Sequence, residues 1–132
     1  MAGKATAYRA GDRLAKQVVV AAANLGLATR EQFKCGRRIW GAERKIDVIL
    51  TEPNSRKRLG VECKAQDSPG TAEEKIVATI QDMDAWPIAG LLVFSGAGFS
   101  EKMKSFMIAS GKAVDFEDME PWLRLFFGLD LE

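Results

Sequence analysis

Three charged side chains lie within two short apolar runs of the sequence, where strands of a folded sheet usually carry neutral residues. Asp47 belongs to the first run, residues 46–51, and Glu62 and Lys64 belong to the second, residues 59–65. The polar stretch PNSRKR separates the two runs, which is the pattern of a β-hairpin. Carboxylates and an amine in one hairpin could serve acid–base or metal-assisted chemistry.

The register of this hairpin decides whether the charges meet. A symmetric turn centred between Asn54 and Ser55 places Asp47 directly across from Glu62, with Cβ atoms about 5 Å apart. Lys64 follows on the same face, one alternation further along.

Strand alternation also predicts which side chains share each face. In the first run Ile46, Val48 and Leu50 should point to one face and Asp47, Ile49 and Thr51 to the other. In the second run Leu59, Val61, Cys63 and Ala65 should share a face, with Glu62, Lys64 and Gln66 opposite.

Two carboxylates at such a distance repel one another and raise each other's pKa unless a cation lies between them. Magnesium prefers oxygen ligands, so Asp47, Glu62 and the backbone carbonyl of Cys63 could hold it. The ammonium of Lys64 could then hold or help deprotonate a water aimed at phosphorus. An ion-paired polar face on a half-exposed sheet is the simpler alternative, but the opposed acids and the flanking apolar strands favour a site.

These residues resemble the PD-(D/E)xK nuclease superfamily, the fold of many restriction endonucleases and of archaeal-type Holliday-junction resolvases. Asp47 matches the first acid of the motif, and Glu62, Cys63 and Lys64 match its E-x-K; Ile46 stands where the family name has proline. The resemblance implies a Mg²⁺-dependent phosphodiesterase that acts on DNA, with Mn²⁺ expected to substitute. Asp47 and Glu62 would be metal ligands and Lys64 the catalytic lysine.

Two further residues are candidates for the same site. Gln66 extends the line of Glu62 and Lys64 on one strand face, and we expect it to take part in catalysis. Members of the superfamily often carry an acid on the first helix, and Asp12 is the only acid on the helix predicted over residues 8–25. Asp12 could equally be an N-terminal cap of that helix.

DNA binding requires local positive charge, since the net charge of the chain is only +1. The candidate phosphate contacts are Arg37, Arg38, Lys45, Arg56, Lys57, Arg58 and Lys75, with Lys102 and Lys104 further on. Surface solvation accounts for most such residues singly. Glu73 and Glu74 near Lys75 could touch substrate, although capping of their helix explains them without a function.

Composition excludes several classes of function. The chain contains no histidine, which removes Ser-His-Asp and Cys-His catalysis, histidine-ligated zinc and nucleases with a histidine base. Its two cysteines, Cys35 and Cys63, are too few for a disulfide framework, and we expect both to be reduced. No apolar run is long enough to span a bilayer and no signal peptide is evident, so we expect a cytoplasmic protein. We also expect no organic cofactor.

The remaining elements complete an α/β plan. A weak strand pattern over residues 28–40 would form the outer strand beside the hairpin. Glu43 after it could reach the rim of the site, although a salt bridge with Lys45 or Arg44 explains it more simply. After the loop 67–70, Thr71 would open a helix, and Leu91 to Phe94 reads as a strand buried on both faces. The strand–helix–strand order implies parallel pairing.

Two amphipathic helices follow. Ser100 should cap a helix with Met103, Phe106 and Met107 facing inward, and AVDF reads as a short edge strand. The last helix carries Trp122, Leu123, Leu125 and Phe126, an apolar end that the core or a second subunit could cover. We expect a homodimer, because cutting both strands of a duplex or a symmetric junction requires two sites.

The predicted fold is therefore a single domain over residues 1–132 with a restriction-endonuclease-like αβββαβ core, a central mixed sheet flanked by helices. Two classes of function stay open. One is a metal-dependent DNA endonuclease of the restriction-like, homing or junction-resolving kind, or one that cleaves damaged or foreign DNA. The other is a non-catalytic nucleic-acid- or protein-binding module that retains the fold.

Overall fold

The computed structural model describes residues 2–38, 41–66 and 73–131. Its elements in chain order are α1 (Ala2–Asn24), β1 (Ala28–Arg37), β2 (Glu43–Thr51), β3 (Arg58–Ala65), α2 (Glu73–Met83), β4 (Ala89–Ser95), α3 (Glu101–Ala109), β5 (Ala113–Asp115), a 3-10 turn (Phe116–Asp118) and α4 (Met119–Phe127). The end of the predicted outer strand at residues 39–40, the loop 67–70 and Thr71 as the start of a helix lie outside the described residues.

One mixed sheet contains five strands in the order β1-β2-β3-β4-β5. The first three strands pair antiparallel, and β3, β4 and β5 pair parallel. The parallel pairing of β3 with β4 follows from the helix α2 between them, since parallel strands need a crossover. The predicted fold class, a mixed sheet flanked by helices, is confirmed.

Helices cover both faces of the sheet, and β4 shows this directly. Leu91 and Val93 belong to a buried cluster with residues of α1 and α4, whereas Leu92 and Phe94 belong to a second cluster with residues of α2 and α3. Because neighbouring side chains of a strand point to opposite faces, the two clusters lie on opposite sides of the sheet. We call these the α1 face and the α2 face.

The first helix packs on the sheet through Leu14, Val18 and Ala22, which are all buried. The helix begins at Ala2, ten residues before Asp12, so the interpretation of Asp12 as its N-terminal cap is wrong. The apolar period that starts near Asp12 marks where the helix meets the sheet rather than where it begins.

The later helices follow the sequence pattern with one exception. The Ser100 side chain accepts a hydrogen bond from the Met103 amide and caps α3 as predicted. Met107 is buried, but Phe106 is 40% exposed, so its predicted inward position is wrong. One residue of a helix turns about 100°, which carries Phe106 away from the line through Met103 and Met107. In α4, Leu123 is buried.

One face prediction for the hairpin is also wrong. Val48 and Leu50 belong to the cluster on the α1 face, but Ile46 packs in the cluster on the α2 face with Ile49 nearby. A regular strand would put Ile46 beside Val48, so β2 reverses its alternation between them. The reversal occurs at Asp47.

Other sequence predictions concern the state of the chain. Cys35 and Cys63 are both free thiols, and Cys63 is buried on the α1 face. None of the helices in the described part of the chain combines the length and the apolar character needed to cross a lipid bilayer.

Gly60 provides a test of how tightly β3 packs. A methyl group at this buried position would lie 2.7 Å from the Trp86 ring, and the ring is held because its indole N–H donates to Asp82. We expect Gly60→Ala to lower the free energy of unfolding by about 1–3 kcal/mol through overpacking. Denaturant unfolding measures this loss.

Gly11→Ala is the matched control, because a methyl group there lies 3.8 Å from the Cys63 carbonyl oxygen, an ordinary contact. Alanine also favours a helix interior, so this variant should be as stable as the parent or more stable by up to about 1 kcal/mol. Equal stability of the two variants would contradict the close packing of Gly60 on Trp86.

Candidate active site

The candidate site lies where the hairpin strands separate. The β2–β3 pairs run from Thr51–Arg58 to Val48–Val61 and stop there, although β2 continues back to Glu43 and β3 on to Ala65. The same register extended by one residue would put Asp47 opposite Glu62, as the sequence predicted. The strands instead open into a fork whose base is the Val48–Val61 pair.

Side-chain carboxylates cross this fork. Oδ2 of Asp47 accepts a hydrogen bond of 2.9 Å from the Cys63 amide, and Oε1 of Glu62 accepts one of 3.3 Å from the Asp47 amide. Each carboxylate therefore satisfies a backbone N–H on the opposite strand that the ladder no longer pairs. The reciprocal bonds hold the two acids against each other.

The environment of Glu62 disfavours its charge. Burial first, and then the negative charge of Asp47, raise the pKa of Glu62 from 4.5 to about 8, against the opposing effect of the Lys64 ammonium. Burial and the same acids raise the pKa of the Cys63 thiol, which therefore stays protonated and unreactive. Close acids in a half-buried setting are the arrangement that a cation would relieve.

A cleft with a volume of about 360 Å³ opens onto these groups. The hairpin strands and the residue after β3 contribute Asp47, Glu62, Lys64 and Gln66, and the walls come from α1, α2 and the loop before α3. Its remaining lining residues are Gly11, Asp12, Ala15, Gln32, Cys63, Ala65, Lys75, Ile76 and Phe99. Asp12, exposed in the middle of α1, therefore faces the same space as the predicted site acids.

Gln66 is held at the end of β3 by the loop after β4. Its side-chain amide donates to the Gly98 carbonyl over 2.9 Å, and its own carbonyl accepts from the Gly98 amide over 2.6 Å. These bonds fix the side chain by its nitrogen, so only the amide oxygen can turn toward the cleft.

A second, smaller cavity of about 160 Å³ adjoins Glu62 and Lys64. Arg38 and Lys45 line it. Beneath them Arg44 makes a two-bond salt bridge of 2.9 and 3.0 Å with Asp82 of α2. The guanidinium holds the pKa of Asp82 below its usual range, with burial opposing and the indole of Trp86 assisting. Two predicted phosphate contacts and Glu43 thus share this cavity with Glu62.

The other predicted cations are placed differently. Lys75 lines the main cleft, whereas Arg37 donates to the Gly41 carbonyl at the end of β1. Arg58 lies four residues before Glu62 on the same strand, roughly 13 Å away. Arg56 and Lys57 lie beyond it in the turn. There the Lys57 ammonium donates a hydrogen bond to the Phe126 carbonyl and lies 4.2 Å from the centroid of the Phe126 ring. The fork does not bring this group to the cleft, and its contact with DNA stays a prediction.

Lys102 and Lys104 lie on α3, where Lys104 is 3.8 Å from Glu101. One acid also differs from its predicted pairing. Glu43 pairs with Lys34 across the β1–β2 edge at 3.3 Å, so the expected bridge to Lys45 or Arg44 is wrong. Arg44 is the adjacent residue and points to the opposite face, and the neighbouring strand β1 brings Lys34 within reach of Glu43.

Glu73 accepts a hydrogen bond of 2.8 Å from the hydroxyl of Ser100 and ties α2 to the cap of α3. The side chain of Glu74 lies outside the described residues. Two features escaped the sequence interpretation. Gln32 lines the cleft from β1, and the Arg44–Asp82 pair joins two elements 38 residues apart. No local pattern signals either of them.

The donor set suits a hard divalent ion that keeps much of its water. Within residues 2–38, 41–66 and 73–131 no group of three or more His, Cys, Asp or Glu side chains could hold a metal. Asp47 and Glu62 each use one carboxylate oxygen for a backbone amide, which leaves the second oxygen for coordination. Two carboxylates and a carbonyl match Mg²⁺, which is usually bound by one or two carboxylates together with waters and substrate phosphate.

Comparison with known families is consistent with this geometry. A family model described as a PD-(D/E)XK nuclease superfamily domain matches residues 6–124. The chain belongs to the PD-(D/E)XK nuclease superfamily. Members of this superfamily are usually nucleases and typically use divalent metals, so a nuclease-type function is supported in general terms.

A search of curated proteins found no match. Among solved structures, the chain resembles one titled "Crystal Structure of Protein of Unknown Function AF1548", with a TM-score of 0.54 and 19% sequence identity. The alignment covers 79% of this chain and 57% of that one. The likeness supports the fold alone, and the chain spans little more than half of that protein.

The raised pKa of Glu62 makes stability depend on pH. Between pH 4.5 and about 8 the folded protein binds more protons than the unfolded chain, so the free energy of unfolding in EDTA should fall as pH rises through this window. Glu62→Gln removes the titrating group, and we expect a flatter profile and a variant more stable than the parent at pH 8, by about 1–3 kcal/mol. Urea unfolding at several pH values measures both.

Glu117→Gln is the control, because Glu117 is an exposed carboxylate in the turn before α4. Its profile should keep the slope of the parent. Parallel profiles for the parent and the Glu62 variant would show that Glu62 does not hold its proton at neutral pH.

Proposed function

We propose that this chain is a Mg²⁺-dependent DNA endonuclease that hydrolyses phosphodiester bonds. The observation that carries the proposal is the pair of reciprocal bonds that holds Asp47 and Glu62 together, with Lys64 beside them, at the floor of one cleft. The cleft is open to solvent on one side and holds carboxylates together with an amine. Such a site is suited to hydrolysis of an anionic ester.

Asp47, Glu62 and the Cys63 carbonyl would hold the ion, and Asp12, which lines the same cleft, is the candidate for a water-mediated contact from α1. When bound, a divalent ion supplies polarisation of the phosphoryl oxygen and a lowered pKa for water. The chain's own contribution is to present two carboxylates, each fixed by a backbone amide, so that little side-chain entropy is lost on binding.

Lys64 lies one alternation beyond Glu62 and lines both cavities. Its ammonium can donate hydrogen bonds to a non-bridging phosphate oxygen and to the attacking water at the same time, which orients the water and offsets charge that develops on phosphorus. The oxygen of Gln66 can accept from the same water, because the Gly98 carbonyl occupies only the nitrogen of its amide.

Substrate would enter across both cavities. Lys75 lines the main cleft, and Arg38 and Lys45 line the smaller one on the other side of Glu62 and Lys64. Phosphates on each side of the scissile bond would then meet a cation. A homodimer would supply the second active site that a double-strand cut or a symmetric junction requires.

Cleavage assays test the chemistry directly. The protein should nick or cut DNA with Mg²⁺ or Mn²⁺ and stop in EDTA, and Asp47→Ala, Glu62→Ala and Lys64→Ala should each reduce the rate about 100-fold or more. Glu73→Ala is the matched control, because this acid bonds Ser100 and does not line either cavity. It should retain most of the activity.

A panel of linear, supercoiled, single-stranded, flapped and four-way-junction DNAs separates the restriction-like, homing and junction-resolving forms of the proposal. Binding to one of these DNAs without cleavage under any metal would favour the alternative of a non-catalytic module. Full activity of any of the three site variants would contradict the assignment of that residue.

A further inference from the structure

Gln32 has a backbone conformation that its position in a strand does not explain. It lies inside β1 with φ of 52°, in the left-handed region that residues other than glycine rarely adopt. Among the described residues other than glycine only Arg56 shares a positive φ, and Arg56 lies in the hairpin turn where such a conformation is ordinary. Such a conformation in a strand is strained and persists only if the surroundings impose it.

The irregularity is shared by the facing strand. Glu31 pairs with Val48, and Phe33 pairs with Ile46, so the register is the same on both sides of Gln32. Neither β1 nor β2 has an extra residue here. Gln32 therefore lies opposite Asp47, although these two residues do not form one of the ladder pairs. The strained residue and the candidate metal ligand therefore lie at the same level of the sheet.

Both strands reverse their faces at this level. On β1, Glu31 bonds Lys16 of α1, whereas Phe33 pairs with Ile46, which packs on the α2 face. The Arg30 guanidinium also lies 5.5 Å from the centroid of the Phe33 ring, although residues three apart on a regular strand point to opposite faces. On β2 the reversal falls between Ile46 and Val48, as described above.

The reversal decides where the Asp47 carboxylate goes. A residue at which the alternation changes belongs to neither face of the sheet. The carboxylate extends instead toward β3, where Oδ2 accepts the Cys63 amide. If β2 continued regularly from Val48, Asp47 would point to the α2 face and Ile46 would leave its apolar cluster.

We propose that Gln32 is a positioning residue whose left-handed backbone turns the Asp47 carboxylate into the fork. The consequence for metal binding rests on the proposed function. The role belongs to the backbone of Gln32. Its side chain lines the cleft but makes no hydrogen bond to Asp47 or Glu62 among the described residues. Glycine at this position should therefore serve as well as glutamine, and a β-branched residue should not.

The experiment compares Gln32→Gly with Gln32→Val in two readouts. The first is hydrogen exchange of the Cys63 amide in metal-free protein by NMR, which reports the bond to Asp47. The second is the dissociation constant for Mn²⁺ from a titration of the same protein. We expect Gln32→Gly to match the parent in both, and Gln32→Val to show faster exchange at Cys63 and a Mn²⁺ affinity about tenfold weaker or more.

Arg56→Val is the matched control, since it places the same side chain on the same backbone conformation at the far end of the hairpin. It should lower Tm without changing Cys63 exchange or Mn²⁺ affinity. If Gln32→Val does not fold, Gln32→Ala imposes a milder penalty at the same position and should show the same two effects to a smaller degree.

Unchanged Cys63 exchange in folded Gln32→Val or Gln32→Ala would overturn the inference, as would a Gln32→Gly variant as impaired as the valine one. Failure of the proposed function is distinct from both. A parent protein that binds no Mn²⁺ and cuts no DNA, while Cys63 exchange responds as expected, would reject the nuclease and leave the positioning role of Gln32 in place.

Discussion

The structure depends on how two backbone amides are satisfied where β2 and β3 stop pairing. A fork in a sheet leaves N–H groups without ladder partners, and a buried unpaired N–H costs about as much as a lost hydrogen bond. Here Asp47 accepts the Cys63 amide and Glu62 accepts the Asp47 amide, so carboxylates complete the fork. The same bonds hold two acids together, which is why the fold and the candidate site cannot be separated.

This solution carries an electrostatic cost that the surrounding elements control. Glu62 is half-buried beside a second carboxylate, and both effects favour its protonated form. Lys64 opposes them from the same strand. A site that favours a proton over a bare charge at neutral pH also favours a divalent cation, because the ion removes the repulsion that raised the pKa. Membership of a nuclease superfamily agrees with that chemistry.

The outer arm of the fork is held from the side of α2. Arg44 follows Glu43 at the start of β2 and donates two hydrogen bonds to Asp82. Asp82 also accepts a hydrogen bond from the indole N–H of Trp86. The Trp86 ring in turn lies against Gly60, where an added Cβ atom would lie only 2.7 Å from the ring. A partly buried salt bridge of this kind gives position more than stability, since desolvation of its charges offsets much of their attraction. The bridge ties the start of β2 to α2 at the smaller cavity.

Much of this architecture was determined by the sequence on its own. The two apolar runs, the centre of their turn and the register of the β2–β3 pairs follow from alternation and turn position. The parallel pairing of β3 with β4 follows from the helix between them, and the cap at Ser100 follows from its residue type. These features are local, because period, turn residues and caps act over a few residues. The family follows from the same short motif. The tertiary structure alone decided the reversal at Gln32 and Asp47, the bond from Glu73 to Ser100, the Arg44–Asp82 pair and the burial of Ile46 on the α2 face. Each of these joins residues that are distant in the chain or departs from a local preference, and only packing of the whole domain can impose such a departure.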